Sequence, residues 1–329
     1  MPKAEPTEGA AVVRAPAPKS ALVKNQPLPV PVAKTSSQAV FGTLEEEEEF
    51  LRVVYFGREG SAKSTNAASV ANTGKTLFIN AEGGAKRRAL IRQGINPENI
   101  VTWPKDRITP ITNAGLEGVF QRLRADLVAD PNSWHAVVMD SATEVVQVLT
   151  AQVSDNRVMK AQLKGADIDE VDEFFTDVAD YGTMGKMITD KIRKFRDLPL
   201  HVIYTALERR DVEKASGEVI VGPAVSAGVA TNLLGFADFV IHCTAGDEEM
   251  PFRGLTKEGG RFRVKDRFDI LPRVMVEPTM ERIIQYAQGE FDEKLDPKQA
   301  LLPAKAARKS GKKTKTATED KDEDNAETE

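Results

Sequence analysis

The sequence has few of the residues that make disulfides, metal cages or membrane spans. Among its 329 residues there is one cysteine, Cys243, and three scattered histidines. A lone cysteine cannot form an intrachain disulfide, and the apolar run around it predicts core packing in a reducing compartment. No apolar stretch approaches the length of a membrane span, and no apolar signal core opens the chain. We therefore expect a cytoplasmic protein with no membrane association and no histidine–cysteine metal cage.

The charge balance excludes a globally basic protein. Lys and Arg number 45 against 50 Asp and Glu, a net charge of −5, so any nucleic-acid surface must be local. Composition predicts a disordered N-terminal segment over 1–44 and a disordered, charged C-terminal tail over 291–329. The tail is basic from Lys305 and acidic towards Glu329, which is typical either of a segment that binds a protein partner or of a solubilising end. One domain is expected between them, over 45–290.

Strand and helix patterns alternate within that domain. Apolar β-rich runs predict strands over 51–56, 76–81, 135–140, 199–206 and 238–243, and helices are expected over 63–72, 113–129, 142–154, 170–196 and 279–288. This alternation predicts an α/β fold with a mostly parallel central sheet and helices on both faces. Two later stretches, 210–221 and 252–267, carry glycine turns and predict added β-hairpins. Residues 155–168 have little periodicity and predict a mobile loop.

The first predicted strand leads into a phosphate-binding loop. Residues 51–65 read LRVVYFGREGSAKST, an apolar strand, a glycine-bearing turn and a helix start. Gly57 and Gly60 let the turn curl so that backbone N–H groups point at an anion, and the helix adds its positive dipole end. In such a loop the lysine reaches the β- and γ-phosphates of ATP, and the next hydroxyl binds Mg²⁺. The expected nucleotide-binding residues are Gly57, Arg58, Glu59, Gly60, Ser61, Ala62, Lys63, Ser64 and Thr65.

Ala62 departs from the usual pattern of this loop, which has glycine before the lysine. A methyl group there crowds a backbone that must approach phosphate closely. The Ala-Lys-Ser sequence is similar to the loop of minichromosome-maintenance helicases, which implies that the change need not abolish binding. An alternative stays open, a nucleotide-binding scaffold with little turnover.

Two carboxylates follow predicted strands, at the sheet edge where ligands of α/β folds gather. Asp140 ends the run HAVVM, the position of an aspartate that completes the Mg²⁺ shell begun by Ser64. A simple helix cap is the alternative. Glu82 follows the second strand and could orient or deprotonate the water that attacks the γ-phosphate, with a solvated loop carboxylate as its alternative.

The order of these motifs resembles that of RecA-like recombination ATPases: a P-loop, then Ala-Glu after the second strand, then Asp-Ser after the third. The resemblance implies that Glu82 activates water and that Asp140 is the Walker-B aspartate, followed by Ser141. It also implies that Thr205, near the end of the fourth strand, senses the γ-phosphate, although the glutamine of the family is absent there.

The run FRVKDRF over 262–268 looks like the basic strand pair with which bacterial RecA proteins reach a neighbouring subunit's ATP. This resemblance implies that Lys265 and Arg267 act catalytically in trans, like an arginine finger. Such a role requires a homo-oligomer, either a ring or a filament.

The chain also resembles compact RecA-like ATPases of bacteriophages, among them Sak-type single-strand annealing proteins and phage AAA-domain nucleotide-binding proteins. That resemblance implies DNA-stimulated ATP hydrolysis on single-stranded DNA, in recombination, annealing or repair in the host cytoplasm. Cations on two segments are the candidate phosphate contacts. They are Arg157, Lys160 and Lys164, and Arg209, Arg210 and Lys214. A P-loop motor of another class, a helicase or packaging ATPase, is the remaining alternative.

Overall fold

The computed structural model describes residues 50–106, 108–164, 178–214, 216–246, 251–257, 260–292 and 294–301. A ten-stranded sheet organises this part of the chain. The strands are β1 (Arg52–Gly57), β2 (Thr76–Asn80), β3 (Ile100–Trp103), β4 (Ala136–Asp140), β5 (His201–Val212), β6 (Val219–Pro223), β7 (Phe239–Thr244), β8 (Arg253–Leu255), β9 (Lys265–Asp266) and β10 (Val274–Val276). The helices are α1 (Lys63–Ala68), α2 (Arg87–Arg92), α3 (Asn113–Ala129), α4 (Ala142–Leu163), α5 (Val178–Arg196), α6 (Ala227–Phe236) and α7 (Met280–Ala287). Short 3₁₀ helices cover Ser69–Asn72, Pro97–Asn99 and Pro297–Leu301.

The strands β7, β1, β5, β4, β2 and β3 lie side by side in that order and are parallel. The others join antiparallel: β8 and β9 pair with β7, β10 with β8, and β6 with β5. Gly57 lies opposite Leu207 on one side and Cys243 on the other. Asn80 lies opposite Asp140. The carboxyl ends of these six parallel strands therefore lie at one edge of the sheet, which confirms the predicted α/β arrangement.

Side chains of β1 alternate between two hydrophobic cores, one on each face of the sheet. Val54 and Phe56 pack with residues of α3, α4, α5 and α6, whereas Val53 and Tyr55 pack with residues of α1 and α7. All four are fully buried. A central parallel strand covered on both faces has no solvent-facing side, so its sequence is continuously apolar rather than alternating. Burial of each such side chain contributes about 1.5–3 kcal/mol, which gives the loop after β1 a fixed base.

Most elements of the middle region agree with the sequence prediction to within a few residues, but one predicted loop is wrong. Helix α4 continues to Leu163 through most of the predicted loop 155–168, because no glycine or proline interrupts the chain before Gly165. Residues 165–168 lie outside the described residues. The elements β3, β10, α2 and α6 were not predicted.

One predicted hairpin is confirmed and the other is wrong. β5 and β6 pair antiparallel, with Val212 opposite Val219, as predicted over 210–221. The stretch 252–267 forms no described hairpin of its own: β8 pairs with β7 and β10, and β9 pairs with β7. The two strands of this stretch, β8 and β9, each pair with β7, which is already part of the sheet, and not with each other. The predicted turn residues Glu258 and Gly259 lie outside the described part.

The chain stays folded beyond the predicted domain boundary at residue 290. Asp296 is only 3 % exposed; its carboxylate accepts a hydrogen bond from the Tyr286 hydroxyl at 2.8 Å and forms an ion pair with Arg282. A 3₁₀ helix follows to Leu301. The predicted tail therefore starts too early. Residues 302–329 and the predicted N-terminal segment 1–44 lie outside the described residues, and their disorder stays a prediction.

Candidate nucleotide-binding site

The turn between β1 and α1 has the curled backbone that the sequence predicts. Gly57 has φ 157° and Gly60 has φ 72°. A Cβ atom on Gly57 would lie 2.4 Å from the carbonyl oxygen of Cys243 on β7, so glycine is required where the loop leaves the sheet. Around Gly60, by contrast, no atom of the described residues other than its immediate chain neighbours lies within 4 Å of a Cβ, and glycine serves there for its backbone conformation alone.

Ala62 occupies the left-handed region, with φ 60° and ψ 20°, immediately before the first residue of α1. L-residues pay roughly 1–2 kcal/mol for this conformation, which glycine adopts freely. The usual glycine of the loop is thus explained by backbone geometry. This chain keeps the geometry with a strained alanine.

Lys63 lies inside the loop it helps to close. Its side-chain ammonium donates to the carbonyl oxygen of Arg58 at 2.7 Å and lies 3.5 Å from the Ser61 hydroxyl. Burial lowers the pKa of Lys63, and the acidic groups Glu82 and Asp140 are among those that oppose the shift. An ammonium has three donors, so at least one remains for a phosphate oxygen.

Asp140 is the buried centre of the site. It is 1 % exposed, and its Oδ1 accepts hydrogen bonds from the hydroxyls of Ser64 at 2.8 Å and Thr205 at 2.5 Å. Its Oδ2 is buried and, among the described residues, has no hydrogen-bond partner. Burial raises the pKa of Asp140.

This donor set fits Mg²⁺. Mg²⁺ prefers oxygen ligands and usually takes one or two from protein side chains, with water and phosphate oxygens completing its shell. The Ser64 hydroxyl and the Asp140 carboxylate meet in one place, and the unpaired Oδ2 is the kind of buried polar atom that needs a partner. The predicted metal pair is therefore brought together.

Thr205 is fully buried and its hydroxyl bonds Asp140. Its observed contact is thus with the predicted metal ligand, since β5 lies beside β4 in the sheet. The role of Thr205 as a γ-phosphate sensor stays a prediction.

Glu82 lies beside the same centre. Backbone N–H groups of Ala81 and Glu82 donate to the carbonyl oxygen of Asp140 at 2.7 and 3.2 Å. The hydroxyl of Ser141, which also caps α4, donates to the Glu82 carboxylate. Glu82 is otherwise exposed, so its free oxygen can contact water. The carboxylate of the predicted base therefore contacts Ser141, the residue that directly follows the predicted metal ligand Asp140.

Lys265 and Arg267 do not reach this edge of the sheet. Lys265 lies opposite Val240, near the amino end of β7, roughly 10 Å along the strand from the P-loop at a rise of about 3.3 Å per residue. Its ammonium donates to three carbonyl oxygens at the end of α6, of which Ala237 is nearest at 2.7 Å. Arg267 pairs with Asp238 at 2.8 Å. A role at the chain's own P-loop is excluded by this placement. Action in trans stays a prediction.

The sequence analysis missed Glu208, which links the P-loop to two other elements. Its carboxylate bonds Arg58 at 3.1 Å, His242 at 2.9 Å and Arg210 at 3.4 Å. Burial favours a raised pKa for Glu208, but the bonds from His242 and Arg58 outweigh it and the net shift is downward. The His242 ring stacks on Phe262 with centroids 4.2 Å apart. The sequence analysis expected β5 to end at Ala206, before Glu208, and so gave no reason to place Glu208 beside the P-loop.

The candidate DNA-binding cations lie on two elements, α4 and the β5–β6 hairpin. Arg157 pairs with Asp180 at 3.0 Å, and Arg209 pairs with Asp211 at 2.8 Å. A cavity of about 920 Å³ opens between these elements and the P-loop, with Arg58, Arg209 and Arg210 in its lining. Tyr181 on α5 also lines it and is 54 % exposed. This aromatic side chain was not predicted, because residues around it read as an ordinary helix.

The described helices include none that is both long and apolar enough to cross a membrane. A search of curated proteins finds no match to this chain. The family model described as "AAA domain" matches residues 49–270, more than half of the chain and the whole of the site above. The chain therefore belongs to the AAA domain family, a family of P-loop ATPase type.

Proposed function

We propose that this protein binds ATP with Mg²⁺, hydrolyses it, and does so while acting on single-stranded DNA in recombination, annealing or repair. The observation that carries the proposal is the meeting of Ser64 and Asp140 beneath the P-loop, with a buried carboxylate oxygen left for a metal. Membership of the AAA domain family supports the nucleotide-binding half. The order of the P-loop, Ala-Glu and Asp-Ser motifs, which resembles that of RecA-like ATPases including those of phages, supports the action on single-stranded DNA.

Each residue has a role that its contacts support. Lys63 and the backbone N–H groups of 58–64 would hold the phosphates, and Ser64 and Asp140 would hold the metal. Bound Mg²⁺ supplies positive charge that offsets the charge of the phosphate oxygens. Glu82, oriented by the Ser141 hydroxyl, aligns a water and accepts its proton.

The test of turnover is ATP hydrolysis by the full chain, measured with and without Mg²⁺ and single-stranded DNA. The proposal expects Mg²⁺-dependent turnover that rises when DNA is added. Glu82→Gln should keep ATP binding and lose turnover, whereas Glu98→Gln, on an exposed 3₁₀ turn, should match the wild type. Equal turnover in the Glu82→Gln protein would contradict the assignment of the base.

DNA is proposed to bind in the cavity beside the P-loop. Arginines on the β5–β6 hairpin would contact phosphates, and the exposed Tyr181 ring would stack on a base; stacking is worth about 1–3 kcal/mol per base. Tyr181→Ala should therefore weaken binding of a labelled oligonucleotide by roughly tenfold or more. Arg122→Ala, at an exposed position of α3, is the control. Unchanged affinity in Tyr181→Ala would exclude this path.

Assembly is proposed to complete the site, with Lys265 and Arg267 of one subunit acting at the ATP of a neighbour. Mixing Arg267→Ala with Glu82→Gln protomers should then restore part of the lost turnover, because some interfaces would hold one intact site. No recovery at any mixing ratio would assign these cations to the α6 contact alone. The C-terminal tail is proposed to bind a protein partner, and the protein to act in the cytoplasm.

A scaffold with little turnover is the second candidate, and Ala62 is the observation that favours it. Its left-handed backbone costs roughly 1–2 kcal/mol, and its methyl group crowds a backbone that must approach phosphate closely. Saturable ATP binding without hydrolysis, with and without DNA, would select this candidate.

A further inference from the structure

A basic surface patch lies at the start of α2 and along it, and the proposed function does not use it. Its cations are exposed, and among the described residues none of them has an ion-pair partner. They are Lys86, Arg87, Arg88 and Arg92, called here the α2 patch. The sequence has no acidic residue over 83–97. Arg88 and Arg92 lie four residues apart on the helix, a spacing at which like charges repel each other.

The inner face of α2 is fixed, so the patch is a preformed surface. Leu90 is buried in the core that α2 shares with α1 and α7. The Asn72 side chain holds the turn after α2: its amide donates to the carbonyl oxygen of Gly94 at 3.2 Å, and its oxygen accepts from the backbone N–H of Asn96 at 2.9 Å. The cations therefore face solvent from a helix that is anchored at its buried side and at its end.

The positive surface continues onto the loop after β3. A cavity of about 470 Å³ has Ala85, just before the patch, and Lys105 in its lining, so a fifth cation borders the same region. Two acids line this cavity as well, Glu82 and Asp106. The Asp106 carboxylate accepts hydrogen bonds from two backbone N–H groups of its own loop, at 3.0 and 2.7 Å. Five cations against two acids leave the whole surface positive.

The last described turn of the chain lies near the same helix. A cavity of about 350 Å³ is lined both by Gln93 and Gly94, directly after α2, and by Pro297 and Lys298 of the final 3₁₀ helix. Residues 302–318 follow that helix, and an extended chain of this length spans up to about 60 Å. Whatever follows residue 318 can therefore reach the α2 patch.

Residues 319–329, called here the acidic segment, carry the opposite charge. They read EDKDEDNAETE, seven acids against one lysine. The basic stretch over 305–315 would be repelled by the patch, so the acidic segment is the part that fits. A tethered segment meets its site at an effective concentration of about millimolar, which favours it over an anionic partner free in solution.

We propose that the acidic segment docks on the α2 patch of its own chain. Its carboxylates would pair with the arginines, and these exposed pairs would be weakened by salt. The contact would relieve the repulsion between Arg88 and Arg92 and would shield the patch from other polyanions. The inference goes beyond the proposed function and needs neither ATP nor DNA. It says what the tail contacts when no protein partner holds it.

Carbodiimide cross-linking of the full chain, read by mass spectrometry, tests the contact directly. The reagent joins a carboxylate to a lysine amine only where the two groups meet, and Lys86 is the lysine of the patch. We expect cross-links from Lys86 to the acidic segment at low salt, with a severalfold lower yield at 1 M salt, where the Debye length is about 3 Å. Lys75 is the internal control, since it is exposed at the opposite end of β2. A mixture of isotope-labelled and unlabelled protein should give links within one chain.

Elution from a heparin column is the second measurement, and it compares a tail variant, a patch variant and their combination with the wild type. The tail variant carries Asp322→Asn, Glu323→Gln and Asp324→Asn. The patch variant carries Arg87→Ala, Arg88→Ala and Arg92→Ala. Neutralising the acidic segment should free the patch and raise the salt concentration needed for elution, and the rise should be less than half as large when the patch arginines are absent. A control background with Arg122→Ala and Arg124→Ala, both exposed on α3, should show the full rise.

Three results would overturn the inference. Absence of Lys86 cross-links at low salt, or equal yields at Lys75, would show that the acidic segment has no place on α2. Links found only between labelled and unlabelled chains would put the segment on a neighbouring copy. An equal rise in elution salt in all backgrounds would mean that the acidic segment acts through net charge alone.

Discussion

Replacing Ala62 by glycine should stabilise the protein, a rare direction for an alanine-to-glycine change. Ala62 sits at φ 60°, where an L-residue pays roughly 1–2 kcal/mol that glycine does not. Against this, glycine adds about 0.4–1 kcal/mol of entropy to the unfolded chain. The difference between the two ranges predicts a net gain centred on about 0.8 kcal/mol, and at most about 1.6 kcal/mol, in the free energy of unfolding.

The measurement is urea denaturation of the full chain, with Ala151→Gly as the matched control. Ala151 is exposed in the middle of α4, where the same substitution should cost about 1 kcal/mol because glycine is a poor helix former. The two variants thus carry one chemical change with opposite expected signs. If Ala62→Gly were destabilised as much as Ala151→Gly, the left-handed backbone at the P-loop would be refuted.

Three other predictions concern Gly57 and Glu82, at the carboxyl ends of the strands, and His201, at the amino end of β5. Gly57→Ala should cost about 1–3 kcal/mol in urea denaturation, because its Cβ would meet the Cys243 carbonyl at 2.4 Å; a loss no larger than that of Gly60→Ala would contradict the contact. Glu82→Gln should lower turnover by about 10²-fold or more with ATP affinity unchanged, and a parallel fall in affinity would make its role structural. Burial lowers the pKa of His201 to about 4, so the unfolded chain takes up its proton first as pH falls below about 6.5, and about 3 kcal/mol of stability should be lost between there and pH 4. His201→Gln should flatten that part of the profile, and an unchanged slope would assign it to other groups.

The centre of the site could be predicted from the sequence because it depends on local patterns. An apolar strand followed by a glycine turn fixes where Lys63 and Ser64 begin a helix. Parallel strands bring their carboxyl ends to one edge, so Asp140 had to lie near Ser64, as it does at 2.8 Å. These inferences need only the direction of the strands and the position of the P-loop, and the P-loop can be recognised from residues 51–65 alone.

What could not be predicted depends on contacts between distant segments. Pairing of β9 with β7, and of β8 with both β7 and β10, follows from competition among strands far apart in the chain. Glu208 gains its role only because β5 runs past Ala206 and brings it beside Arg58. Asp296 looks like one more charge in a polar stretch until Arg282 and Tyr286 surround it. No local period encodes such partners.

The most direct test of the central claim is titration of MgATP into the folded full chain, wild type beside Lys63→Ala and the control Lys75→Ala. The ammonium of Lys63 lies inside the loop, whereas Lys75 is exposed and lies over the Trp134 ring. The account predicts saturable binding by the wild type and by Lys75→Ala, and its loss in Lys63→Ala. Equal affinity in all three proteins, or no saturable binding by the wild type, would contradict it.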